Sequence, residues 1–237
     1  LYQRNGRLST EVVPKIEKLD TNRINLSYEI SESEVSRVSK IIFIGNNSFS
    51  TSKLKSIMKT KERRLLRFLS SADRYDPDKI EYDKQLISQF YNNNGFPNFT
   101  FTSSIAQLSE NTNSFEVILY IDEGEKYDFG EIKVLTKLKK INPDVALSLI
   151  TASKGEVFDR SKISDSIEII KELAEGEGYS FIDINPKFRE NTDNKEINIQ
   201  IDINEGPRFY VNSINIAGNT RTLDRVIRRE LGLSEGD

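Results

Sequence analysis

The sequence contains no cysteine, no histidine and no tryptophan, and one methionine among its 237 residues. Without cysteine the chain has no disulfides and no thiolate ligands for a metal. Without histidine it lacks the most common general base and the most common zinc ligand. The sequence has no glycine-rich phosphate loop and no nucleophile motif either. These absences argue against an enzyme and against a cofactor or a metal site, so we expect a binding or structural protein.

Long apolar runs are missing as well. No stretch approaches the roughly 20 apolar residues of a membrane-spanning helix, and no signal peptide opens the chain, so we expect Leu1 to be an interior position of a longer protein. Hydrophobic residues make up 36% of the sequence and charged residues 30%, with a net charge of −3. This balance is typical of a well-solvated chain with modest cores, and it disfavours a general nucleic-acid-binding protein.

A pattern of two consecutive strands around a glutamate occurs three times. In the last copy, apolar residues at every second position of 197–203 predict a strand with one buried face. Glu205 and Gly206 end this strand, and a second apolar strand leads to Gly218 and Asn219. The same pattern surrounds Glu123 and Glu32. In each copy an apolar residue opens the following strand six positions after the glutamate, and these residues are Val38, Phe129 and Val211.

The spacing of the three copies predicts an array of small domains. Their glutamates lie 91 and 82 residues apart, and a domain of about 80 to 90 residues can just fold alone. We expect a C-terminal remnant of one domain at 1–35, complete domains at 36–125 and 126–206, and the N-terminal part of a further domain at 207–237.

Each complete domain has the predicted order strand, helix, helix, strand, strand. In the first, Ser50 or Thr51 is the predicted N-cap of one helix, and Asp76 followed by Pro77 begins the other. In the second, Asn142 followed by Pro143 begins the first helix. The second helix of that domain has an apolar face of Ile163, Ile167, Ile170 and either Leu173 or Ala174.

The last piece of the chain is predicted to contain one strand and one helix. The strand runs from Val211 to Ile216, and Thr222 is the predicted helix cap. An inward-facing apolar face of Leu223, Val226, Ile227 and Leu231 is expected on that helix.

This unit, with Glu-Gly, an apolar strand start and Gly-Asn at fixed offsets, resembles a POTRA domain. The segment from Glu205 through Gly218 to Glu230 is similar to the join between the fourth and fifth POTRA domains of the BamA-like outer-membrane assembly family. The pattern departs from the family at Thr136-Lys137 (for Gly-Asn), Ser33 (for Gly) and Arg7 (for an aromatic residue). The resemblance implies an α+β fold of tandem POTRA domains, each β-α-α-β-β with a three-stranded mixed sheet covered by two helices. On this mapping the chain holds the end of the second domain, the third and fourth, and the start of the fifth.

The resemblance also implies a function. Such a chain is expected to be the periplasmic arm of an outer-membrane protein assembly and insertion machine, at the periplasmic side of the bacterial outer membrane. The full-length protein would be embedded in the membrane through a C-terminal barrel that this chain lacks. The expected partners are unfolded outer-membrane β-barrel precursors, a BamD-like lipoprotein and other assembly-complex subunits, with no nucleic acid and no cofactor.

The family's open sheet edge maps onto the strand after the second helix. In this chain it predicts client binding by strand addition at Phe99, Thr100, Phe101, Thr102, Ser103, Ser104 and Ile105. The alternative is an edge that is merely solvated. The corresponding strand of the next domain, 181–188, contains Pro186, which cannot donate to a ladder and also favours a sheet edge.

Two further groups of residues are singled out. The resemblance places partner docking on Glu230 and Arg229, with plain surface charges as the alternative. We predict structural turns, in which glycine frees the backbone for a positive φ, at Gly95, Gly124, Gly178, Gly206 and Gly218.

Other functions stay open at this stage. One is the POTRA arm of a related translocase, either TamA-like or a two-partner secretion transporter. Another is a basic α+β nucleic-acid-binding module, because 53–67 carries Lys53, Lys55, Lys59, Lys61, Arg63, Arg64 and Arg67 against Glu62 alone. The same run could contact anionic headgroups, or it is a solvated helix face compensated by acidic neighbours.

Overall fold

The structure is a computed structural model that describes residues 10–19, 23–32, 35–63, 72–109, 114–207, 212–219, 221–232 and 234–236. The features predicted from sequence for Arg7, Ser33, Arg64, Arg67 and Val211 lie outside the described residues.

Eight strands and five helices are found along the described residues. In chain order they are β1 (Glu11–Leu19), β2 (Arg23–Ser31), β3 (Arg37–Ile44), α1 (Thr51–Ile57), α2 (Pro77–Asn92), β4 (Thr100–Ser109), β5 (Ser114–Asp122), β6 (Asp128–Thr136), α3 (Pro143–Ser148), α4 (Arg160–Gly176), β7 (Ile182–Asn191), β8 (Glu196–Glu205) and α5 (Asp224–Leu231).

The strands form three sheets. β1 and β2 make an antiparallel pair, in which Pro14 lies opposite Tyr28. The second sheet has the order β3-β5-β4, with β3 parallel and β4 antiparallel to the central β5. The third sheet has the order β6-β8-β7. Mixed three-stranded sheets with interspersed helices confirm the predicted α+β fold class.

The predicted helix starts are confirmed by their caps. The Asp76 side chain accepts the Asp78 N–H at 3.0 Å, with Pro77 as the first helical residue of α2. The Asn142 side chain likewise accepts the Asp144 N–H at 2.8 Å at the start of α3. Of the two candidates for α1, Ser50 is the N-cap. Each cap satisfies a backbone donor that the first helical turn leaves unpaired.

The described chain divides into two compact units. The first comprises Leu1–Gly130, Ala152–Lys162 and Glu190–Asn198. A hydrophobic core of this unit lies between one face of the second sheet and the helices α1 and α2. The buried side chains of this core include Ile41, Phe43, Leu54, Ile87, Tyr91, Val117, Leu119 and Ile121.

The second unit comprises Glu131–Thr151, Ile163–Arg189 and Ile199–Asp237. On α4 the buried apolar residues are Ile163, Ile170 and Ala174, while Ile167 and Leu173 are half-buried. Ser166 is also buried and its hydroxyl accepts the Thr151 N–H at 3.2 Å. The apolar periodicity therefore found the buried face of α4, although it missed the one polar residue on that face.

The end of the chain differs from its sequence prediction. Residues 212–217 form no strand, and α5 has Leu223 at its N-cap without a side-chain cap, so the predicted cap at Thr222 is wrong. A strand needs a neighbour for its backbone hydrogen bonds. Here side chains, rather than a neighbouring strand, form hydrogen bonds with the backbone. The Ile214 N–H donates to Glu235, and the Ile214 carbonyl accepts from Arg228. Leu223 is 61% exposed, so the face expected to point inward is open.

Candidate functional site

β4 is an outer strand of the second sheet, and its far side is open. It is paired with β5, and across the described part of the chain no other segment pairs with it. Residues 102–108 are all exposed, and the strand contains no proline. The backbone N–H and C=O groups that point away from β5 can therefore form hydrogen bonds with an additional strand.

β3, on the opposite side of the same sheet, has an edge that the chain itself covers. The Val38 N–H donates to the Asp73 carbonyl, and the Val38 carbonyl accepts the Arg63 N–H, both at 2.8 Å. The Ile41 N–H donates to Glu62 Oε1 at 2.9 Å. These bonds satisfy backbone groups of β3 that would otherwise be available to a foreign strand.

Two buried carboxylates hold the covering segments in place. Asp73 accepts two hydrogen bonds from one guanidinium nitrogen of Arg37, at 2.6 and 2.7 Å. Asp83, fully buried on α2, accepts the backbone N–H groups of Lys59 at 2.5 Å and Thr60 at 2.9 Å. Carboxylates that accept such bonds stabilise a loop more than neutral acceptors do. The cover over β3 is therefore anchored both to the strand and to α2.

The predicted client-binding residues fall into two groups. Thr100 and 102–104 are exposed on β4, and Ile105 is 44% exposed. Phe99 precedes the strand, is only 8% exposed, and stacks on Tyr91 with a ring-centroid distance of 4.0 Å. The prediction that Phe99 belongs to the edge strand is wrong, because its ring packs in the aromatic core.

A groove lies between α2 and the start of β4. Its volume is about 490 Å³, and its wall on α2 is polar, with Lys84, Gln85, Ser88 and Gln89. Phe101 contributes an aromatic surface, and the Lys84 ammonium lies 5.6 Å from the centroid of its ring. The sequence pattern did not predict this groove, because polar residues on one side of a helix have the spacing of an ordinary solvated face.

The repeated glutamate has a structural role in the first complete copy. Glu123 is buried and accepts the Ser48 N–H at 3.0 Å, the Ser48 hydroxyl at 2.8 Å and the Tyr91 hydroxyl at 2.8 Å. Burial and this hydrogen bond to Glu123 raise the pKa of the Tyr91 hydroxyl above its ordinary value. Glu123 thus ties the end of the central strand β5 to the loop after β3 and to α2.

Four of the five predicted turn glycines have a positive φ, namely Gly95, Gly124, Gly178 and Gly218. Gly95 is also closely packed. Its carbonyl accepts the Tyr127 N–H at 2.8 Å, and a Cβ at this position would come within 2.9 Å of Val157. Gly206 lacks a positive φ, so that part of the prediction is wrong. Glycine at this position instead permits a close approach, since a Cβ there would lie 3.3 Å from the Phe181 backbone.

β7 is also an outer strand, at the end of the third sheet. It contains Pro186, and its residues alternate between half-buried and exposed over most of its length. The Lys187 ammonium donates to Asp202 at 2.5 Å, and this bond holds the pKa of the Asp202 carboxyl below its usual value. Because proline removes a donor from the strand, β7 is a poorer template for strand addition than β4.

The two residues predicted to dock a partner are exposed on α5. The side chains of Arg229 and Glu230 are 76% and 73% exposed, and they form a loose ion pair with each other at 3.4 Å. The preceding Arg228 is engaged differently, with bonds to Glu235 at 2.9 Å and to the Ile214 carbonyl at 2.7 Å. Arg228 therefore stabilises the local fold, whereas Arg229 and Glu230 present charge to the outside.

The described part of the basic run is largely engaged within its own segment. Lys55 pairs with Glu62 at 2.7 Å, and the Lys61 ammonium donates to the backbone carbonyls of Lys55 and Ser56. Lys53 lies over the Phe90 ring at 5.4 Å. The acidic residue Asp73, which is near this run in sequence, binds Arg37.

None of the helices in the described residues is both long enough and apolar enough to cross a membrane. No group of acidic side chains in those residues is arranged to hold a metal ion.

The fold and the repeated unit define a class of protein. The family model described as POTRA, surface antigen variable number repeat, matches residues 36–124 and 127–206. The chain belongs to the POTRA family.

The relatives of this chain are outer-membrane assembly factors. It is 26% identical over 230 residues to the outer membrane protein assembly factor BamA of Neisseria meningitidis, covering 97% of this chain and 29% of that protein. It is 26% identical over 228 residues to BamA of Neorickettsia risticii, covering 96% of this chain and 30% of that protein. The chain thus spans less than a third of the length of these two relatives.

A solved structure has the same fold. The crystal structure of Haemophilus influenzae BamA POTRA3-5 aligns with a TM-score of 0.64 at 24% identity, covering 86% of this chain and 79% of that one. This likeness supports the assignment of tandem POTRA domains in a mixed α+β architecture.

Proposed function

We propose that this chain is the periplasmic arm of an outer-membrane protein assembly machine, and that it binds unfolded β-barrel precursors by strand addition to β4. The names of the BamA relatives support the first part. One contrast carries the second part: the sheet covers its β3 edge with hydrogen bonds from its own chain, while its β4 edge has exposed residues and no described partner strand.

The regular part of β4 sets the length of the site. The register with β5 is irregular between Phe101 and Ser103 and regular from Ser103 to Ser109. A bulge interrupts pairing locally, so a client strand would pair along the stretch from Ser103 onward. Backbone hydrogen bonds supply affinity with little dependence on sequence. That property suits an arm that handles many different precursors.

The proposed domain limits are 1–35, 36–125, 126–206 and 207–237, at the periplasmic side of the outer membrane. On these limits β4 and α2 belong to the first complete domain and β7 to the second. The Gly95–Tyr127 hydrogen bond then spans the joint between the two complete domains.

Two adjacent serines on β4 provide a matched experiment. In a strand, neighbouring N–H groups point to opposite sides, so Ser103→Pro and Ser104→Pro remove one donor to β5 and one donor on the open side. Urea unfolding shows which variant lost the ladder bond, because that variant is the less stable one. Fluorescence anisotropy then measures binding of a labelled nine-residue barrel-strand peptide.

We expect the more stable proline variant to bind the peptide at least about tenfold more weakly than the original chain, because the open edge has lost a hydrogen bond and gained a ring. Unchanged affinity in both variants would overturn strand addition at β4. Binding lost only in the less stable variant would point to a folding defect and would likewise contradict the proposal.

Docking of a BamD-like lipoprotein is a third part of the proposed function. The exposed pair of Arg229 and Glu230 on α5 supports it. Glu230→Lys should weaken the complex with that lipoprotein without changing the unfolding transition, whereas Glu175→Lys on the exposed side of α4 should leave it intact. Equal affinity of all three chains in a pull-down titration would remove Glu230 from the interface.

A further inference from the structure

A polar pocket lies between α1 and the segment that covers the β3 edge. Its volume is about 520 Å³. One wall comes from α1 and the other from residues 60–62, while Ile41 of β3 contributes an apolar surface. Hydroxyl side chains, two ammonium groups and one carboxylate make up the rest of the lining. The proposed strand addition at β4 uses none of these groups, so the pocket is a separate feature of the first unit.

Thr60 contributes a buried hydroxyl that lacks a partner. The residue is 1% exposed, and its backbone N–H donates to Asp83 at 2.9 Å. Its hydroxyl oxygen is also buried, but it forms no hydrogen bond with any described residue. Buried hydroxyls almost always have a partner, and Thr60 is part of the pocket wall. This combination points to a hydrogen-bonding group that comes from outside the chain.

Two ammonium groups give the pocket its charge. The Lys55 ammonium donates to Glu62 Oε1 at 2.7 Å, and that oxygen also accepts the Ile41 N–H at 2.9 Å. The Lys61 ammonium donates to the carbonyl groups of Lys55 and Ser56, at 2.8 and 3.3 Å. Bonds to carbonyl oxygens fix the position of an ammonium group without neutralising its charge. The pocket therefore contains two cations and one carboxylate, an excess of positive charge.

The surrounding sequence adds to this positive field. The described residues 53–63 carry one carboxylate and five cationic side chains, which are Lys53, Lys55, Lys59, Lys61 and Arg63. Clustered charges of one sign raise the local concentration of an oppositely charged ligand. A phosphate group combines negative charge with several strong acceptor oxygens. It therefore matches a pocket whose donors are ammonium and hydroxyl groups.

We propose that this pocket binds a phosphate group, with the Lys55 and Lys61 ammonium groups and the Ser52 and Thr60 hydroxyls as donors. The volume also admits a small polar group attached to the phosphate. Inorganic phosphate and the headgroup of a phospholipid present the same oxygens to these donors. The inference goes beyond the proposed function, because it concerns the covered side of the sheet and holds whether or not β4 accepts a strand.

A backbone NMR titration with inorganic phosphate at neutral pH tests the pocket, with sodium chloride at matched ionic strength as the reference. We expect saturable shifts of the Ser52, Ser56 and Thr60 amides that chloride does not reproduce. Lys55→Gln should weaken phosphate binding at least about tenfold, because it removes a charge-assisted donor. The absence of saturable shifts at these amides would overturn the proposal.

Lys133→Gln is the matched control. It removes the same charge from an exposed ion pair with Glu131 on β6, so phosphate affinity should stay within about twofold of the original. An equal loss of affinity in Lys55→Gln and Lys133→Gln would show a general effect of charge and would also overturn the proposal.

Thr60→Val tests the unpartnered hydroxyl. Valine has a similar shape and keeps the backbone bond to Asp83. We expect phosphate binding to weaken about fivefold, the effect of one lost hydrogen bond. The urea midpoint should not fall, because the hydroxyl has no partner among the described residues. A lower midpoint with unchanged phosphate affinity would assign the hydroxyl to the fold and overturn its role as a donor.

Two further ligands distinguish the sources of the phosphate. Glycerol phosphate represents the soluble headgroup, and vesicles of phosphatidylglycerol represent the membrane. Vesicle binding that Lys55→Gln weakens more than Lys133→Gln would support the proposal with a lipid headgroup as the ligand. Binding of the soluble phosphates alone would support it with free phosphate. Vesicle binding that both variants weaken equally would be general attraction to an anionic surface, and it would contradict a headgroup in the pocket.

Discussion

The two edges of the second sheet belong to the same fold and yet are chemically opposite. The β3 edge is closed by backbone bonds from Asp73 and Arg63 and by the Glu62 carboxylate. The β4 edge is exposed along 102–108 and has no such bonds among the described residues. A sheet with one covered edge cannot grow on that side. The proposed strand addition is therefore assigned to β4.

This difference is specified by a few buried charges rather than by strand propensity. The segment over β3 is held by Asp73 and Asp83, both buried. Among the described residues, no carboxylate is bonded to the backbone N–H groups of β4. The buried carboxylates therefore stabilise the segment over the β3 edge, while the β4 edge stays exposed.

Removing the anchor on α2 should have the largest effect. Asp83→Ala leaves the backbone N–H groups of Lys59 and Thr60 without their acceptor, and we expect a loss of about 3 kcal/mol in the free energy of unfolding. Urea denaturation provides the measurement, with Ser104→Ala on the open edge as the control. A cost no greater than that of the control would show that the cover does not depend on Asp83.

Breaking the anchor on β3 should have a smaller and more local effect. Asp73→Ala removes both hydrogen bonds from Arg37, at an expected cost of about 2 kcal/mol. Because the Asp73 backbone also pairs with β3, we expect faster hydrogen exchange at Val38 and unchanged exchange in β4. Equal acceleration on both edges would mean that the two edges are not independently stabilised.

The hydrogen bond between Tyr91 and Glu123 lies at the end of the central strand β5, so its loss should destabilise both edges of the sheet alike. Tyr91→Phe removes one hydrogen bond to Glu123, at an expected cost of about 1 kcal/mol. The folded state raises the pKa of Tyr91 above the ordinary value of 10.0, so the unfolded chain loses this proton first. Stability should therefore fall as the pH rises above about 10, and the fall should be shallower in Tyr91→Phe. An unchanged pH profile would exclude this contribution.

A lysine placed on the open edge should have the smallest effect on stability. Ser104→Lys adds an exposed charge to β4, and we expect a change within about 0.5 kcal/mol. A charge on an edge strand nevertheless opposes the approach of another strand, so peptide binding should weaken. Anisotropy titrations beside urea unfolding separate the two properties, and binding equal to that of the unaltered chain would argue that the peptide does not approach this edge.

Much of the fold could be predicted from the sequence because its signals are local. Asp76-Pro77 and Asn142-Pro143 mark helix starts through caps that involve neighbouring residues only. The alternation at 197–203 likewise marks β8, whose apolar residues are buried. The end of the chain could not be predicted in this way. A strand at 212–217 requires a pairing partner, and local pattern does not supply one.

The candidate site was only partly predictable for a similar reason. The exposed residues of β4 follow from the resemblance to POTRA domains. The burial of Phe99 depends instead on its stacking with Tyr91, which lies on the preceding helix α2. The cover over β3 depends on Asp83, 24 residues from Lys59. Such long-range side-chain contacts leave no periodic signal in the sequence.

The most direct test of the account is a backbone NMR titration with an extended peptide from an outer-membrane barrel strand. The account predicts shifts and slowed amide exchange concentrated in β4, from Ser103 to Ser109, with β3 and β7 unchanged. Shifts confined to β3 or β7, or the absence of any shift in β4 at saturating peptide, would contradict the claim that the open edge binds clients.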